Sequence, residues 1–436
     1  MIGRIKFDLS NKGALARNVF WMLSGDGVRL VLQAVYFVLI GRALGVREFG
    51  AFVGAVSLVA LVAPFSTWGT GFILLKEVAR DRAAFSRCWG TALSATAVFG
   101  TVLLCLVLLI SRAAFGTSVP LRALLLVAVS DAIVVRVLDL ATQAFTAVEN
   151  LRKGAEIYVV LSAGRTLAAV YLSFVVHSPT AQSWALLYLL SAVTAALYGI
   201  VAVSRTLGPP RMGFRLSRPE FKEGFYFAVS QASQTIYNDL DKTMLVRLGG
   251  LEATGIYGAA YRIVDVSFAP VGALTQATLA RFFRHGEKGI AGSTRLARKI
   301  LPYSAGYGLV AASFLFLVSP VLPLVLGKGF TAATWALRWL SPLVFLRSIH
   351  YFLANSLSGA GHQGRRALVQ IGVVGINVLL NLWLIPAYSW RGAAWASLVS
   401  DGALVLGLFA AIVSLRRSGN LPGAAPEVEA EGSVAL

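Results

Sequence analysis

Long apolar stretches recur along this chain from about residue 18 to about residue 415, and they leave few folds open. A helix needs about 20 apolar residues to cross the hydrocarbon core of a bilayer, and in lipid its backbone N–H and C=O groups must be satisfied internally. The stretches predict twelve spans, at about 18–42, 49–72, 88–110, 120–146, 156–177, 182–204, 221–248, 253–280, 299–320, 332–357, 367–386 and 391–415. The alternating pattern of a transmembrane barrel is absent. Only 14% of the 436 residues are charged. The expected class is an all-α polytopic membrane protein of about twelve transmembrane helices.

The net charge of +19 suggests nucleic acid in a soluble protein. Here it reads instead as topology, because basic residues gather in the loops that stay inside. With the N-terminus placed inside, 25 of the 39 Lys and Arg fall in inside segments, 7 in outside segments and 7 within spans. Both chain ends are then expected in the cytoplasm. The first apolar run is too long for a signal-peptide core and leads into further spans, so no cleavage is expected. Cys88 and Cys105 are too far apart for a CxxC site, which argues against a metal or disulfide framework. The outside loops are too short to hold a folded domain, and no Walker A sequence occurs. The Pro-, Ala- and Glu-rich tail, 421–436, is expected to be disordered.

A repeat is visible at a gapless offset of 205. It lays Arg42 on Arg247, Gly45 on Gly250, Gly50 on Gly255, Phe52 on Tyr257 and Lys76 on Arg281. The same offset superposes spans 1 and 2 on spans 7 and 8. Six spans per half gives a parallel repeat, with lobes expected at 1–206 and 207–420 and a substrate site between them.

Ionisable groups inside a bilayer are costly and usually face a protein interior or a watery cavity. Four acid–base pairs lie three residues apart within predicted spans: Asp26 with Arg29, Arg136 with Asp139, Asp239 with Lys242, and Arg262 with Asp265. Residues at i and i+3 share a helix face, so each pair can neutralise itself for insertion. Four such pairs also suit the wall of a transport path, since purely structural spans can avoid charge. Asp241 adds a further acid beside Lys242. Arg165, Arg338, Arg347, His350 and Asp401 have no neighbour in sequence to pair with. Arg347 and His350 share a face of span 10, and Asp401 in span 12 is either their counter-ion or a coupling-ion ligand. Asn377 and Asn381 read as interhelical hydrogen-bond glue.

Several segments follow one another in a familiar order: Leu44-Gly-Val-Arg-Glu-Phe-Gly50, Trp68-Gly-Thr-Gly-Phe-Ile-Leu-Leu-Lys-Glu77, Asp241-Lys-Thr-Met-Leu245, Gly255-Ile-Tyr-Gly-Ala-Ala-Tyr-Arg-Ile263, Leu322-Pro-Leu-Val-Leu-Gly327, Ser358-Gly-Ala-Gly361 and Asn377-Val-Leu-Leu-Asn-Leu-Trp-Leu-Ile-Pro386. In this the chain resembles the Wzx-type polysaccharide (O-antigen) flippases of the multidrug/oligosaccharidyl-lipid/polysaccharide exporter superfamily. The resemblance implies two six-helix lobes in a V around a central cavity. It also implies flipping of undecaprenyl-diphosphate-linked oligosaccharide between leaflets by alternating access. No cofactor is implied beyond a coupling H+ or Na+. By the same resemblance Arg29, Lys242 and Arg262 are the expected substrate-binding cations, Arg being suited to phosphate oxygens. Asp26, Asp239, Asp241, Asp265 and Asp401 are expected to tune them or take the coupling ion.

The implied partners are the lipid-linked oligosaccharide, membrane lipids, a polysaccharide polymerase and a chain-length regulator, with no nucleic acid. The implied location is the bacterial cytoplasmic (inner) membrane. Two other functions stay open: a cation-coupled multidrug antiporter of the same superfamily, and a membrane-embedded polymerase or glycosyltransferase. The short outside loops speak against the enzyme.

Overall fold

The computed structural model describes residues 12–214 and 216–419, with the side chains of residues 27–417 except 215 and 234. The expected disordered tail and the side chain of Asp26 lie outside the described residues. Among these residues the regular structure is helical throughout. The helices are α1 (Lys12–Val62), α2 (Thr70–Arg80), α3 (Phe85–Phe115), α4 (Leu121–Val129), α5 (Val135–Ala147), α6 (Leu151–Phe174), α7 (Ala181–Thr206), α8 (Arg218–Leu248) and α9 (Leu251–Gly286). Then come α10 (Gly289–Val318), α11 (Leu322–Leu326), α12 (Thr331–Leu340), α13 (Pro342–Gly359), α14 (Gln363–Tyr388) and α15 (Trp390–Gly419).

Eight stretches among the described residues are long and apolar enough to cross a membrane. The first, Gly27–Thr67, is 41 residues long and overlaps both of the spans expected first. Three expected spans are helical but miss that threshold, each for a visible reason. The fourth is split by a wide π-helical turn, Ser130–Val134, between α4 and α5. The seventh, α8, carries charged and polar residues along its length. The tenth is divided before Pro342, whose ring cannot continue α12. The bilayer is the implied solvent. Leu109, Phe174, Tyr303, Leu317 and Trp383 are each more than 70% exposed, which water would not tolerate on this scale.

The chain forms two compact units. One comprises the residues up to Ala260 with Ser319–Ala336 and Asn381–Ala393. Its interior is built on Trp89, Phe115, Phe145, Trp184 and Tyr257, each fully buried. Local chemistry sets its helix ends. Thr180 and Ser217 form capping boxes with Ser183 and Glu220. Glu48 accepts the Ala181 N–H at 2.8 Å, a carboxylate at the positive end of α7. Arg42 donates to the Leu324 and Val325 carbonyls at the end of α11. The other unit comprises Tyr261–Val318, Leu337–Leu380 and the residues from Ala394 onward. There Phe282, Phe352, Val271 and Ala297 cluster where α9, α10 and α13 pack.

The repeat has a structural counterpart inside the first unit. Gly45 kinks α1 with φ +66°, and Gly250 joins α8 to α9 with φ +88°, a region that L side chains rarely adopt. Past each kink the helices touch backbone to backbone. A Cβ on Gly50 would collide with the Leu251 carbonyl, and one on Gly255 would collide with the Val46 carbonyl. Val46 and Leu251 are themselves 205 residues apart, so the two contacts are images of each other.

Candidate functional site

Charges held in apolar helices stay only if neighbours satisfy them. On α8 the Lys242 ammonium lies 2.6 Å from Asp239 and donates to the Asn238 carbonyl at 3.0 Å. Asp241 accepts the Lys242 backbone N–H at 2.7 Å, and the Tyr257 hydroxyl of α9 donates to its other oxygen. Lys242 and Asp241 are buried. The Thr243 hydroxyl meets Ser57 of α1 at 3.1 Å, which fixes the rotation of α8. The i,i+3 pair read from the sequence is therefore formed, and Asp241 is tied to the next helix.

A second polar seam runs through α1, α5, α6 and α7 of the same unit. Arg29 stands over the Tyr158 ring, 5.4 Å from its centroid. The Tyr158 hydroxyl donates to Asp139, whose second oxygen lies 2.9 Å from Arg136. The Arg136 Nε donates to the Asp131 carbonyl at 3.1 Å, across the wide turn. Asp131 accepts from Ser130 at 3.1 Å and from Tyr188 at 3.2 Å. Arg165 lies 4.0 Å over the Tyr188 ring and is a charge neighbour of Asp131. Sequence reasoning missed Asp131 altogether. Its signal was an acid five residues before Arg136 in an otherwise apolar span, a spacing that an ideal α-helix puts on different faces.

The second unit holds a third cluster. Arg347 of α13 is 5% exposed and donates to Asp265 of α9 at 3.0 Å. The same guanidinium lies 3.5 Å from Asp401 of α15 and bonds the Tyr261 hydroxyl. His350, one turn along α13, places Nε2 3.6 Å from Asp401 and stacks on Tyr351. Asp401 is 2% exposed, whereas the Asp265 side chain is 40% exposed. Asp401 does serve as counter-ion to Arg347, the alternative left open by the sequence. Asp265 has Arg347 as a partner 82 positions away, which no i,i+3 count reveals. Arg262 sits half-buried one turn before Asp265. Among the described residues no group of three or more His, Cys, Asp or Glu is placed to hold a metal ion.

Residues 15–285 match a family described as polysaccharide biosynthesis protein. The chain belongs to that family. A curated relative, the probable low-salt glycan biosynthesis flippase Agl15 of Haloferax volcanii, is 23% identical over 236 residues. That match covers 52% of this chain and 48% of the relative, so the chain spans about half the length of the curated relative it matches. Solved structures with the same fold include an inward-facing multidrug resistance MATE family transporter of the MOP superfamily. It has TM-score 0.72 and 15% identity, over 90% of this chain and 99% of that one. The lipid II flippase MurJ, in an inward closed conformation, has TM-score 0.71 and 11% identity, over 90% of this chain and 87% of that one. At these identities the likeness is one of fold. The chain is a multi-pass membrane protein with the fold of these superfamily members.

Proposed function

We propose that this chain is a flippase that carries undecaprenyl-diphosphate-linked oligosaccharide from the inner to the outer leaflet of the bacterial cytoplasmic membrane. The observation that carries the reading is the joining of two facts. The family is one of polysaccharide biosynthesis, and the fold is shared with a lipid II flippase. Buried cations agree with it, since a diphosphate moving through an apolar core needs positive partners. Arg29, Lys242 and Arg262 are the proposed substrate contacts, with Asp26, Asp239, Asp241, Asp265 and Asp401 tuning them or taking a coupling ion. The mirrored Gly50 and Gly255 contacts support two six-helix lobes, 1–206 and 207–420, and alternating access between them. The proposed topology keeps both termini in the cytoplasm, and the proposed protein partners are a polymerase and a chain-length regulator.

Depletion of the protein in its host tests the reading. Lipid-linked oligosaccharide should accumulate in the inner leaflet while its synthesis continues, and surface glycan should fall. The MATE likeness favours a second reading, a cation-coupled multidrug antiporter. That reading gains if depletion sensitises cells to cationic drugs and leaves surface glycan unchanged. A membrane-embedded polymerase or glycosyltransferase would instead change glycan length or composition.

A further inference from the structure

The Arg347 cluster is built unlike the seam around Asp131. In the seam, Asp131 and Asp139 face the cations Arg136 and Arg165, with Arg29 over the Tyr158 ring, so no cation has to serve two carboxylates alone. In the second unit one guanidinium is shared between two carboxylates on different helices. The sharing is uneven. Asp265 receives a hydrogen bond at 3.0 Å, while the more deeply buried Asp401 is approached only to 3.5 Å. Asp401 also faces His350, whose buried Nε2 has no hydrogen-bond partner among the described residues. An unpartnered ring nitrogen 3.6 Å from a buried carboxylate leaves room for one proton between them. The other ionisable groups nearby do not supply it. Tyr261 is engaged by Arg347, and Tyr351 lies flat on the His350 ring. Arg262, half-buried one turn before Asp265, is a permanent cation and has no proton to give. On α14, Arg366 bonds Ser358 and adds a positive charge that acts on His350, which keeps the proton on the carboxylate side of the pair. On α10, Tyr307 donates to the Ser267 carbonyl.

We propose that Asp401 and His350 form the proton-carrying site of this transporter, with Arg347 exchanging between Asp401 and Asp265 as the proton comes and goes. The inference rests on the transporter reading above and specifies its coupling ion. When the Asp401 carboxylate takes up H+, an O–H bond forms and its negative charge is lost. That hydroxyl donates to His350 Nε2, and Arg347 commits to Asp265. When the proton leaves, Asp401 regains its charge and draws the guanidinium back. A metal cation suits the cluster poorly, because the Arg347 charge already stands within 3.5 Å of both carboxylates. A proton removes charge instead of adding a second cation.

Infrared difference spectroscopy of the purified full-length protein tests the site without any glycan substrate. On titration from acid to alkaline pH, the wild type should show a protonated carboxyl C=O band that disappears. Asp401→Asn should abolish that band and Asp239→Asn should leave it. A band unchanged in Asp401→Asn overturns the site. If Asp401→Asn fails to fold, His350→Phe is read in its place. Its band should vanish at lower pH, because the protonated carboxyl has lost its acceptor, and an unmoved midpoint overturns the pairing. In proteoliposomes a pH gradient should accelerate flipping of the lipid-linked oligosaccharide at least fivefold, and Asp401→Asn should remove that dependence. Flipping indifferent to the gradient overturns the coupling role. A titrating Asp401 band in a protein that moves no glycan lipid leaves the site standing and overturns the flippase reading alone.

Discussion

Gly50 and Gly255 touch backbone to backbone, and each holds in its own half of the sequence the place the other holds 205 residues away. The contact fixes α1 against α9 at a separation that no side chain permits. Gly50→Val or Gly255→Val is expected to destabilise the protein by about 3 kcal/mol or more, the upper range of overpacking in a tight core. Fluorescence-detected size exclusion after heating checks this. Gly372→Ala and Gly375→Ala, where an added Cβ meets nothing within 4 Å, are the matched controls and should melt as wild type.

Arg347 is the common partner of two acids, so its loss should be severe. Arg347→Ala leaves a buried carboxylate uncompensated, with an expected cost of about 3–5 kcal/mol. Arg347→Ala combined with Asp401→Asn should recover much of the folded yield. A double variant no better than the single would mean that the two side chains do not share an energetic unit.

Lys242 separates a structural role from a substrate role. Lys242→Met strands Asp239, while Asp241 keeps the backbone N–H of residue 242 and the Tyr257 hydroxyl, and folded protein should fall. Asp239→Asn with Lys242→Gln removes both ends of the pair and should fold near the wild-type level. If Lys242 binds the diphosphate, surface glycan in cells carrying the double variant should still fall at least tenfold. Wild-type glycan at normal protein levels would reduce the pair to mutual neutralisation.

Arg29 stands on the face of Tyr158. Arg29→Ala is expected to lower glycan-lipid translocation at least fivefold while the melting temperature stays near wild type. Arg29→Lys should recover part of the activity, as a point charge lacks the planar fork suited to phosphate.

Asp131 should be a stability hot spot. Asp131→Ala removes the acceptor of two hydroxyls and the counter-charge of Arg136 and Arg165, a loss of about 3 kcal/mol for a buried pair broken on one side. Asp131→Asn keeps one acceptor oxygen and turns an NH2 donor to the other hydroxyl, so it should lose less. The drop in melting temperature from wild type to Asp131→Asn measures the charge contribution, and the further drop to Asp131→Ala measures the polar contacts.

What could be read in advance followed the physics of each signal. Helices such as α3 and α6 announce themselves because bilayer crossing demands unbroken hydropathy. The Asp239–Lys242 pair was legible because helix geometry alone brings i and i+3 together. The partnership of Arg347 with Asp265 was not, because it depends on how α9 and α13 pack. Asp131 escaped for a different reason. Its spacing to Arg136 has meaning only on a helix that is locally wound too wide, and the sequence carries no simple mark of that winding.

The wide turn at Ser130–Val134 bears on how this segment tolerates change. A π-helical turn amounts to one residue inserted into an α-helix, and such turns are frequent at functional sites. Arg136 Nε takes the Asp131 carbonyl across it. Deleting a single residue here, Ile133 for instance, would let the segment close into an uninterrupted helix with little change of phase beyond it, because the wide turn takes up about the rotation of the residue it gains. Arg136 would then stand four residues from Asp131, whose carbonyl the helix backbone would claim, while every apolar residue nearby stayed apolar. Hydropathy would score the deletion as harmless. The extra residue therefore frees a carbonyl for a side chain, and the length of the turn matters more than the identity of the residues in it.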